Sequence, residues 1–479
     1  MYSMGVEPDI VTYGSLIKGL CEKGTLDKAK ELLHTMISNG PEPNAVTYGI
    51  LIGGLVKSGE IENAEELLHT MISNGPEPNA VTYTILIGGR CKSGEIEKAQ
   101  ELLHIMISRG HEPNVLTYNI LIDGMCKSGE IEKAHELLHS MISKGPEPDD
   151  VTYSTLIHGM CTNGEIKKAQ ELLHIMISRG HEPNVVTYTI LIGGRCKSGE
   201  IEKAQELLHI MISRGHEPNV LTYNILIDGM CKSGEIEKAH EFLHSMISKG
   251  PEPDVVTYNT LIHGMCTNGE IKKAQELLHI MISKGHEPNV VTYTILIGGR
   301  CKSGEIEKAQ ELLHIMISRG HEPNVLTYNI LIDGMCKSGE IEKAHEFLHS
   351  MISKGPEPDV VTYNILIHGM CTNGEIKKAQ ELLHIMISKG HEPNVVTYTI
   401  LIGGRCKSGE IEKAQELLHI MISRGHEPNV LTYNILIDGM CKSGEIEKAH
   451  ELLYSMISKG PEPDVVTYST FDSWDVQEW

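Results

Sequence analysis

Large aromatic side chains are almost missing from this chain, which holds three Phe and two Trp among 479 residues. Any core it builds must therefore be aliphatic, since too few large rings are present to anchor one. Long apolar runs are missing as well. None approaches the ~20 residues that cross a bilayer, so no membrane association is expected. The opening stretch MYSMGVEPDI carries neither a basic region nor an apolar one, so no secretory signal is expected there. There is no GxxxxGK[ST], no GxSxG and no HxE with a CxxC. Those absences exclude a phosphate-binding loop, a serine-hydrolase elbow and a zinc-deaminase centre. No enzyme and no cofactor are expected. Basic residues are also outnumbered, 42 against 64 acidic ones, giving a formal charge of −22.

What is present suffices for a fold. Apolar residues make up 40% and charged residues 22%, which places the chain among soluble folded proteins rather than disordered ones. Length alone suggests about three ordinary domains. A repeat overrides that prior. A V/L-T-Y triplet ends at Tyr13, Tyr48, Tyr83, Tyr118 and Tyr153, and so on every 35 residues to Tyr468. A fixed period of this size marks a solenoid. Thirteen complete units, repeats 1 to 13, run from Ile10 to Asp464. Residues 1–9 match the end of a preceding unit, so a truncated repeat is expected there. Residues 465–479 begin a fourteenth unit and then leave the pattern in the tail FDSWDVQEW. Units 105 residues apart are nearly identical, as 186–215 and 291–320 show.

Repeat 10 shows the internal logic. In VLTYNILIDGMCK, residues Tyr328, Leu331, Ile332, Met335 and Cys336 fall at spacings of three and four, as a buried helical face requires. Ser338 and Gly339 break this helix. In EIEKAHEFLHSMISK a second stripe forms from Ile341, Ala344, Leu348 and Met351, with Gly355 as the expected C-terminal cap. Pro356 to Pro358 make the turn, and Asp359 can cap the next helix. Each unit is then a helical hairpin that buries both stripes only against its neighbours. The expected fold is all-α, an α-solenoid superhelix of stacked hairpins.

The twelve cysteines recur once per unit, at Cys21, Cys91, Cys126 and onward, with Val56 taking the place once. Stacked helices sit roughly 10 Å apart, beyond the ~7 Å Cα separation that a disulfide tolerates. They read as small buried apolar residues of a reducing compartment. His135/His139, His240/His244 and His345/His349 have the i, i+4 spacing of a metal pair, but no third ligand matches them. They read as a solvated outer face, and no metal site is expected.

Function must then lie in the surface that stacking creates. Positions two, five, nine and thirteen of the unit share one face of the first helix. Position two is always aliphatic: Val11, Val46, Val81, Leu116, Val151, Val186, Leu221, Val256, Val291, Leu326, Val361, Val396 and Leu431. Positions five and nine change from unit to unit, as a reading surface would. Position thirteen is lysine nine times, at Lys57, Lys92, Lys127, Lys197, Lys232, Lys302, Lys337, Lys407 and Lys442. A lysine row of this kind suits a phosphate backbone. The acidic side chains Glu340, Glu342 and Glu346 and their equivalents lie on the second helix, so opposite charges are expected on opposite walls. That placement softens the objection that −22 raises against a nucleic-acid partner.

The unit VLTYNILIDGMCKSGEIEKAHELLHSMISKGPEPD, residues 115–149, resembles a pentatricopeptide repeat of the plain 35-residue class. The likeness covers essentially residues 1–470, in register throughout. The related tetratricopeptide repeat has 34 residues and a Trp–Leu–Gly–Tyr pattern that is absent here. The resemblance implies binding of single-stranded RNA, one base per repeat, with the chain running N to C along RNA 5′ to 3′. It implies that positions five and thirty-five read the base and that position two brackets it. It also implies a mitochondrial or plastid setting, with a transit peptide absent from this chain. A protein-binding helical scaffold is the alternative.

Hydrogen-bond chemistry gives the same two-letter logic. An ionised Asp only accepts, so it favours U or G, which carry a ring N–H; Asn can donate to the bare ring nitrogen of A or C. At position five a short Thr or Ser leaves room for a purine, and Asn reaches a pyrimidine. Thr84/Asn114, Thr189/Asn219, Thr294/Asn324, Thr399/Asn429 and Ser154/Asn184 then read A. Asn119/Asp149, Asn224/Asp254, Asn329/Asp359 and Asn434/Asp464 read U. Asn259/Asn289 and Asn364/Asn394 read C, with U tolerated. Gly14/Asn44 and Gly49/Asn79 lack a side chain at position five and read A weakly. The expected target is 5′-(A)(A)AUAAUCAUCAU-3′.

Overall fold

The structure, a computed structural model, describes residues 8–475. Most of the expected truncated repeat, residues 1–7, and the last four tail residues lie outside the described residues. Within them the chain forms 27 α-helices and no strand. It divides into two compact units. One holds the residues up to Ser233 with Glu241–Glu252; the other holds Gly234–His240 with the residues from Pro253. Each unit is by itself an α-solenoid. Within each, every first helix lies against the first helix of the next repeat, and each second helix packs on its own partner and on the following first helix.

Repeat 10 again shows why. Its helices run Val325–Lys337 and Ile341–Lys354, the two stretches that the apolar spacing marks. Tyr328, Leu331, Ile332, Met335 and Cys336 are buried on the first, and Ile341, Ala344, Leu348 and Met351 on the second. Between them Gly339 takes φ +77, a left-handed turn that costs glycine nothing. The turn lets the Glu340 N–H donate to the Met335 carbonyl at 2.8 Å. Asp359 caps the next helix as expected, accepting from the Thr362 N–H at 2.8 Å.

The second helices end in two ways, and one residue decides which. Gly320 precedes His321 and adopts φ +82, which brings the His321 N–H to the Met316 carbonyl at 3.1 Å. Gly355 precedes Pro356, which has no N–H to make that bond and disfavours a helical residue before it. Gly355 is instead extended at φ −113, and its helix runs one residue further, to Lys354.

The cysteines are free thiols, buried or nearly so. Burial pushes Cys336 up to about 12, with Asp333 adding to the effect. Ten of the twelve serve as spacers against a glycine of the next first helix. That contact yields a test on two adjacent glycines of one helix. A Cβ at Gly299 would lie 2.7 Å from Sγ and 2.9 Å from Cβ of Cys266, whereas at Gly298 it would meet only Ile330, at 3.6 Å. Gly299→Ala should destabilise by about 1–3 kcal/mol through overpacking. Gly298→Ala should be neutral or stabilise by up to ~1 kcal/mol, since Ala is the better helix former. Denaturant unfolding of both variants checks this, and equal midpoints would show that Cys266 moves aside freely.

Sequence reading missed the four arginines at position eleven. Arg90, Arg195, Arg300 and Arg405 stand where other repeats carry methionine or, at Leu20 and Leu55, leucine, and all four are buried. Arg90 is clamped by Glu65 through Nε and Nη2, at 2.7 and 2.6 Å, and is bonded also to Glu62 and Glu95. Those bonds, Glu65 foremost, raise its pKa against the cost of desolvation. The other three each pair with a glutamate five residues on, Glu200, Glu305 and Glu410. A buried charge met in this way is tolerated; a lone one would not be.

Candidate nucleic-acid interface

The first-helix face carries the expected side chains in three different states. Position two is bare. All thirteen Val and Leu side chains there are exposed, from 53% at Val396 to 68% at Val11. Isolated exposed aliphatics are ordinary, but one per repeat at a fixed register, on a face otherwise made by stacking, is a row of apolar ledges open to solvent.

Position five is the opposite. Thr84, Thr189, Thr294 and Thr399 are buried, as are Asn259, Asn329, Asn364 and Asn434. Most of their polar atoms are engaged within the protein, although Oδ1 of Asn259 and of Asn329 has no hydrogen-bond partner. Thr294 Oγ1 lies 2.7 Å from the Val290 carbonyl and 2.8 Å from Thr327 Oγ1. Ser154 meets Thr187 at 2.8 Å. Asn434 donates through Nδ2 to Asp464 at 3.1 Å and accepts from Thr467 at 2.7 Å. Where position five is Asn and position thirty-five is Asp, the two side chains meet, as Asn119 does Asp149 and Asn434 does Asp464.

Position thirty-five lies at the surface: twelve of its thirteen residues are exposed, and Asn79 is half-buried. It also caps the next helix. The cap that sequence reading describes at Asp359 in repeat 10 is made at this position in every repeat. Asn114, Asn219, Asp254, Asn289 and Asn429, which the sequence marks only as base readers, are all N-caps. Asn114 Oδ1 accepts from the Thr117 N–H at 3.0 Å, and Asn219 from Thr222 at 3.0 Å. Asp254 accepts from Thr257 at 2.8 Å, Asn289 from Thr292 at 3.1 Å and Asn429 from Thr432 at 2.9 Å. The reason is positional. Each stands immediately before a helix whose first N–H groups have no intrahelical partner, and its side-chain oxygen meets one of them.

Capping orients the side chain. In repeat 9, Asn324 Oδ1 accepts from the Thr327 N–H and hydroxyl, both at 3.0 Å. A backbone N–H can only donate, so the amide oxygen must face it and the NH₂ is turned away. In repeat 4, Asp149 Oδ1 takes Thr152 N at 2.8 Å, Thr152 Oγ1 at 2.8 Å and Asn119 Nδ2 at 3.3 Å. Its Oδ2 stands outside these bonds as a pure acceptor. Desolvation pushes the Asp149 carboxyl up, but the hydrogen bonds from Thr152 and Asn119 outweigh it and hold the group below its ordinary value. Asp359 is held the same way by Thr362 and Asn329. Capping thus turns one atom away from the helix in each repeat, a donor from Asn or an acceptor from Asp. At Gly14 and Gly49 position five adds no side chain, and Asn44 and Asn79 keep only their capping threonines.

Hollows open between successive ledges. One of about 350 Å³ lies between Val291 and Leu326, bordered by Thr294, Gly298, Asn324 and Lys337. Equivalents of about 370 Å³ lie between Val396 and Leu431 and between Val186 and Leu221. All sit where position nine is glycine, at Gly193, Gly298 and Gly403, and where position five is threonine. Sequence reading did not single out these glycines, although their recurrence every third repeat was visible.

The lysine row is less uniform than its sequence suggests. Lys127, Lys232, Lys337 and Lys442 pair with Asp123, Asp228, Asp333 and Asp438 on the same helix, at 2.6 to 2.7 Å. The i, i+4 spacing makes these pairs. The expected segregation of charge is therefore incomplete, since acid stands on the first-helix face too. Lys57, Lys92, Lys197, Lys302 and Lys407 have glycine at position nine instead and stay exposed without such a partner. On the second helix His135 and His139 touch edge to face at 4.6 Å. No cluster of three or more His, Cys, Asp or Glu among the described residues could hold a metal, and no described helix is long and apolar enough to cross a membrane.

A stacked helical-hairpin array with one exposed aliphatic ledge and one helix-capping Asn or Asp per 35 residues defines the class: a helical-repeat protein. The chain belongs to the PPR repeat family, whose model matches it in thirteen overlapping segments running from 8–57 to 428–471. The crystal structure of the pentatricopeptide repeat protein PPR10 from maize is similar, with 24% identity over 98% of this chain and 82% of that one, at a TM-score of 0.51. PPR10 in complex with an 18-nt psaJ RNA element matches with the same identity and coverage at a TM-score of 0.45. Yeast Rmd9p in complex with a 16-nt target RNA matches with 11% identity, over 98% of this chain and 95% of that one, at 0.44. Comparison with curated protein sequences returns no match.

Proposed function

We propose that the chain is a sequence-specific binder of single-stranded RNA that takes one base per repeat, N to C along 5′ to 3′, and performs no chemistry on it. Residues 10–464 form the reading array in this proposal. The observation that carries it is the row of exposed Val and Leu ledges. A base inserted between two successive ledges buries both of its faces, which any base can do. Its Watson–Crick edge then meets the atom that capping turns outward at position thirty-five. The lysines at position thirteen supply phosphate contacts. The proposed target is 5′-(A)(A)AUAAUCAUCAU-3′, with an organellar transcript as the setting that family resemblance favours.

A protein-binding scaffold would need no alternation of donor and acceptor at position thirty-five. Here that atom switches between Asn and Asp in step with position five: Thr and Ser occur only with Asn, and every Asp follows an Asn. Selection of bound RNAs from a random pool tests the proposal. The enriched sequence should contain AUAAUCAUCAU. Enrichment of no sequence, or of one reading in the reverse order, would overturn the code or the polarity.

A further inference from the structure

One residue touches both base-reading positions of a repeat and cannot touch RNA itself. It is the threonine at position three of the following repeat, which is fully buried in most copies: Thr117, Thr187, Thr327, Thr397 and Thr432 all have 0% exposure. Between repeats 9 and 10 the Thr327 hydroxyl lies 2.8 Å from Thr294 Oγ1 and 3.0 Å from Asn324 Oδ1. Those are positions five and thirty-five of repeat 9. The link recurs with other base pairs but not in repeats 4, 7, 8 and 10, where Oδ1 of Asn119, Asn224, Asn259 and Asn329 has no hydrogen-bond partner. Thr397 reaches Asn364 at 2.7 Å and Asn394 at 3.1 Å, and Thr467 reaches Asn434 at 2.7 Å and Asp464 at 2.9 Å. Thr187 meets Ser154 at 2.8 Å and Asn184 at 3.3 Å.

We infer that the position-three threonine is a positioning residue for base recognition, and that in the repeats so linked the letter is set jointly with the first turn of the repeat after it. This rests on the base-reading function proposed above. The proton balance makes the case. Asn324 Oδ1 is an acceptor only, so the Thr327 proton goes to it, and the single Thr294 proton is shared between Thr327 Oγ1 and the Val290 carbonyl. The amide is thereby held by two donors, the backbone N–H and this hydroxyl. The N–H alone sets which end of the amide faces inward. The hydroxyl adds a second fixed point that limits rotation of the NH₂ presented to the base, and it ties that orientation to whatever stands at position five. Fixing a recognition group in this way improves discrimination rather than general affinity.

Thr327→Val removes the hydroxyl and keeps the shape. It strands no polar group, because Thr294 still donates to the Val290 carbonyl at 2.7 Å and Asn324 still accepts the backbone N–H. Thr327→Ser keeps the hydroxyl and serves as the rescue. Binding is measured on RNAs that differ only at the ninth base, A against G, with a second pair differing only at the tenth base, U against C. The preference for A at base nine should fall about 3- to 10-fold in Thr327→Val, the worth of one neutral hydrogen bond. It should be retained in Thr327→Ser, while the preference at base ten stays at the parent level in both. Thr432→Val, which removes the same link to Thr399 and Asn429 in repeat 12, should show the mirror result on a third pair of RNAs differing only at the twelfth base, A against G, losing preference there and keeping it at base nine. An unchanged ninth-base preference in Thr327→Val, or an equal loss at both bases, would overturn the inference while leaving the code intact. A parent with no preference at base nine would overturn the base-reading proposal, and this inference with it.

Discussion

Replacing Lys57, Lys92, Lys197, Lys302 and Lys407 with alanine together should weaken RNA binding by orders of magnitude at physiological salt and flatten its salt dependence. Each single-strand phosphate contact contributes a slope of about 0.7 in log K against log salt, so five lost contacts lower it by up to about 3.5. Matched and mismatched RNAs should suffer alike, because phosphates carry no sequence information. The four remaining lysines behave differently, since Asp123, Asp228, Asp333 and Asp438 already neutralise them. Changing those aspartates to asparagine should therefore tighten binding and steepen the slope by up to about 2.8. An exposed i, i+4 pair adds little to the fold, so the aspartates can be removed without unfolding the helix. Anisotropy titrations over a range of salt concentrations read both effects. A five-lysine variant with the parent's slope would show that the phosphates follow another path.

The pairs that make the row uneven explain what the sequence could and could not tell. The 35-residue period, the two apolar stripes, the Ser338–Gly339 break and the cap at Asp359 are all local or strictly periodic, and each was legible. The same cap at Asn114, Asn219, Asp254, Asn289 and Asn429 was equally local, since threonine follows three residues later every time. Asp333 and Lys337 were legible in the same sense, four residues apart on one helix, but a row of recurring lysines hides the acid beside four of them. The clamp on Arg90 was not legible. Glu62 and Glu65 lie 28 and 25 residues before it, and only the stack brings them to that side chain. The state of position five was hidden for the same reason. A threonine that varies along a reading face looks solvent-facing, yet Thr294 is sealed by Thr327, 33 residues on. The one feature of the site that periodicity does give is the aliphatic ledge at position two, because nothing in a buried stripe calls for Val or Leu there.

Asp359→Asn should turn the tenth base from U to C. In the parent, Asp359 Oδ1 is committed to Thr362, at 2.8 Å to N and 2.9 Å to Oγ1. Hydrogen bonds from Thr362 and Asn329 outweigh desolvation and keep the carboxyl below its ordinary value, so at neutral pH it is ionised and can only accept. That suits the ring N–H of uracil and rejects the bare ring nitrogen of cytosine. The asparagine keeps the cap, as Asn324 does for the preceding repeat with Thr327 N at 3.0 Å, and asparagine caps about as well as aspartate. Its oxygen must then face Thr362, which turns the NH₂ toward the base as a donor. Asn329 loses a charged acceptor, but the resulting pair already exists as Asn364/Asn394, where Thr397 satisfies Asn364 Oδ1 at 2.7 Å. The shift in preference should be on the order of 1–3 kcal/mol, the discrimination of a good base-edge contact, and confined to base ten. Two RNAs identical except for U or C at that base, competed on parent and variant at one salt concentration, measure it. Unfolding of the variant should match the parent, so a change in binding reports recognition and not stability. A preference that stays on U, or that moves at the ninth or eleventh base instead, would show that the outward atom at position thirty-five is not the one that reads the base.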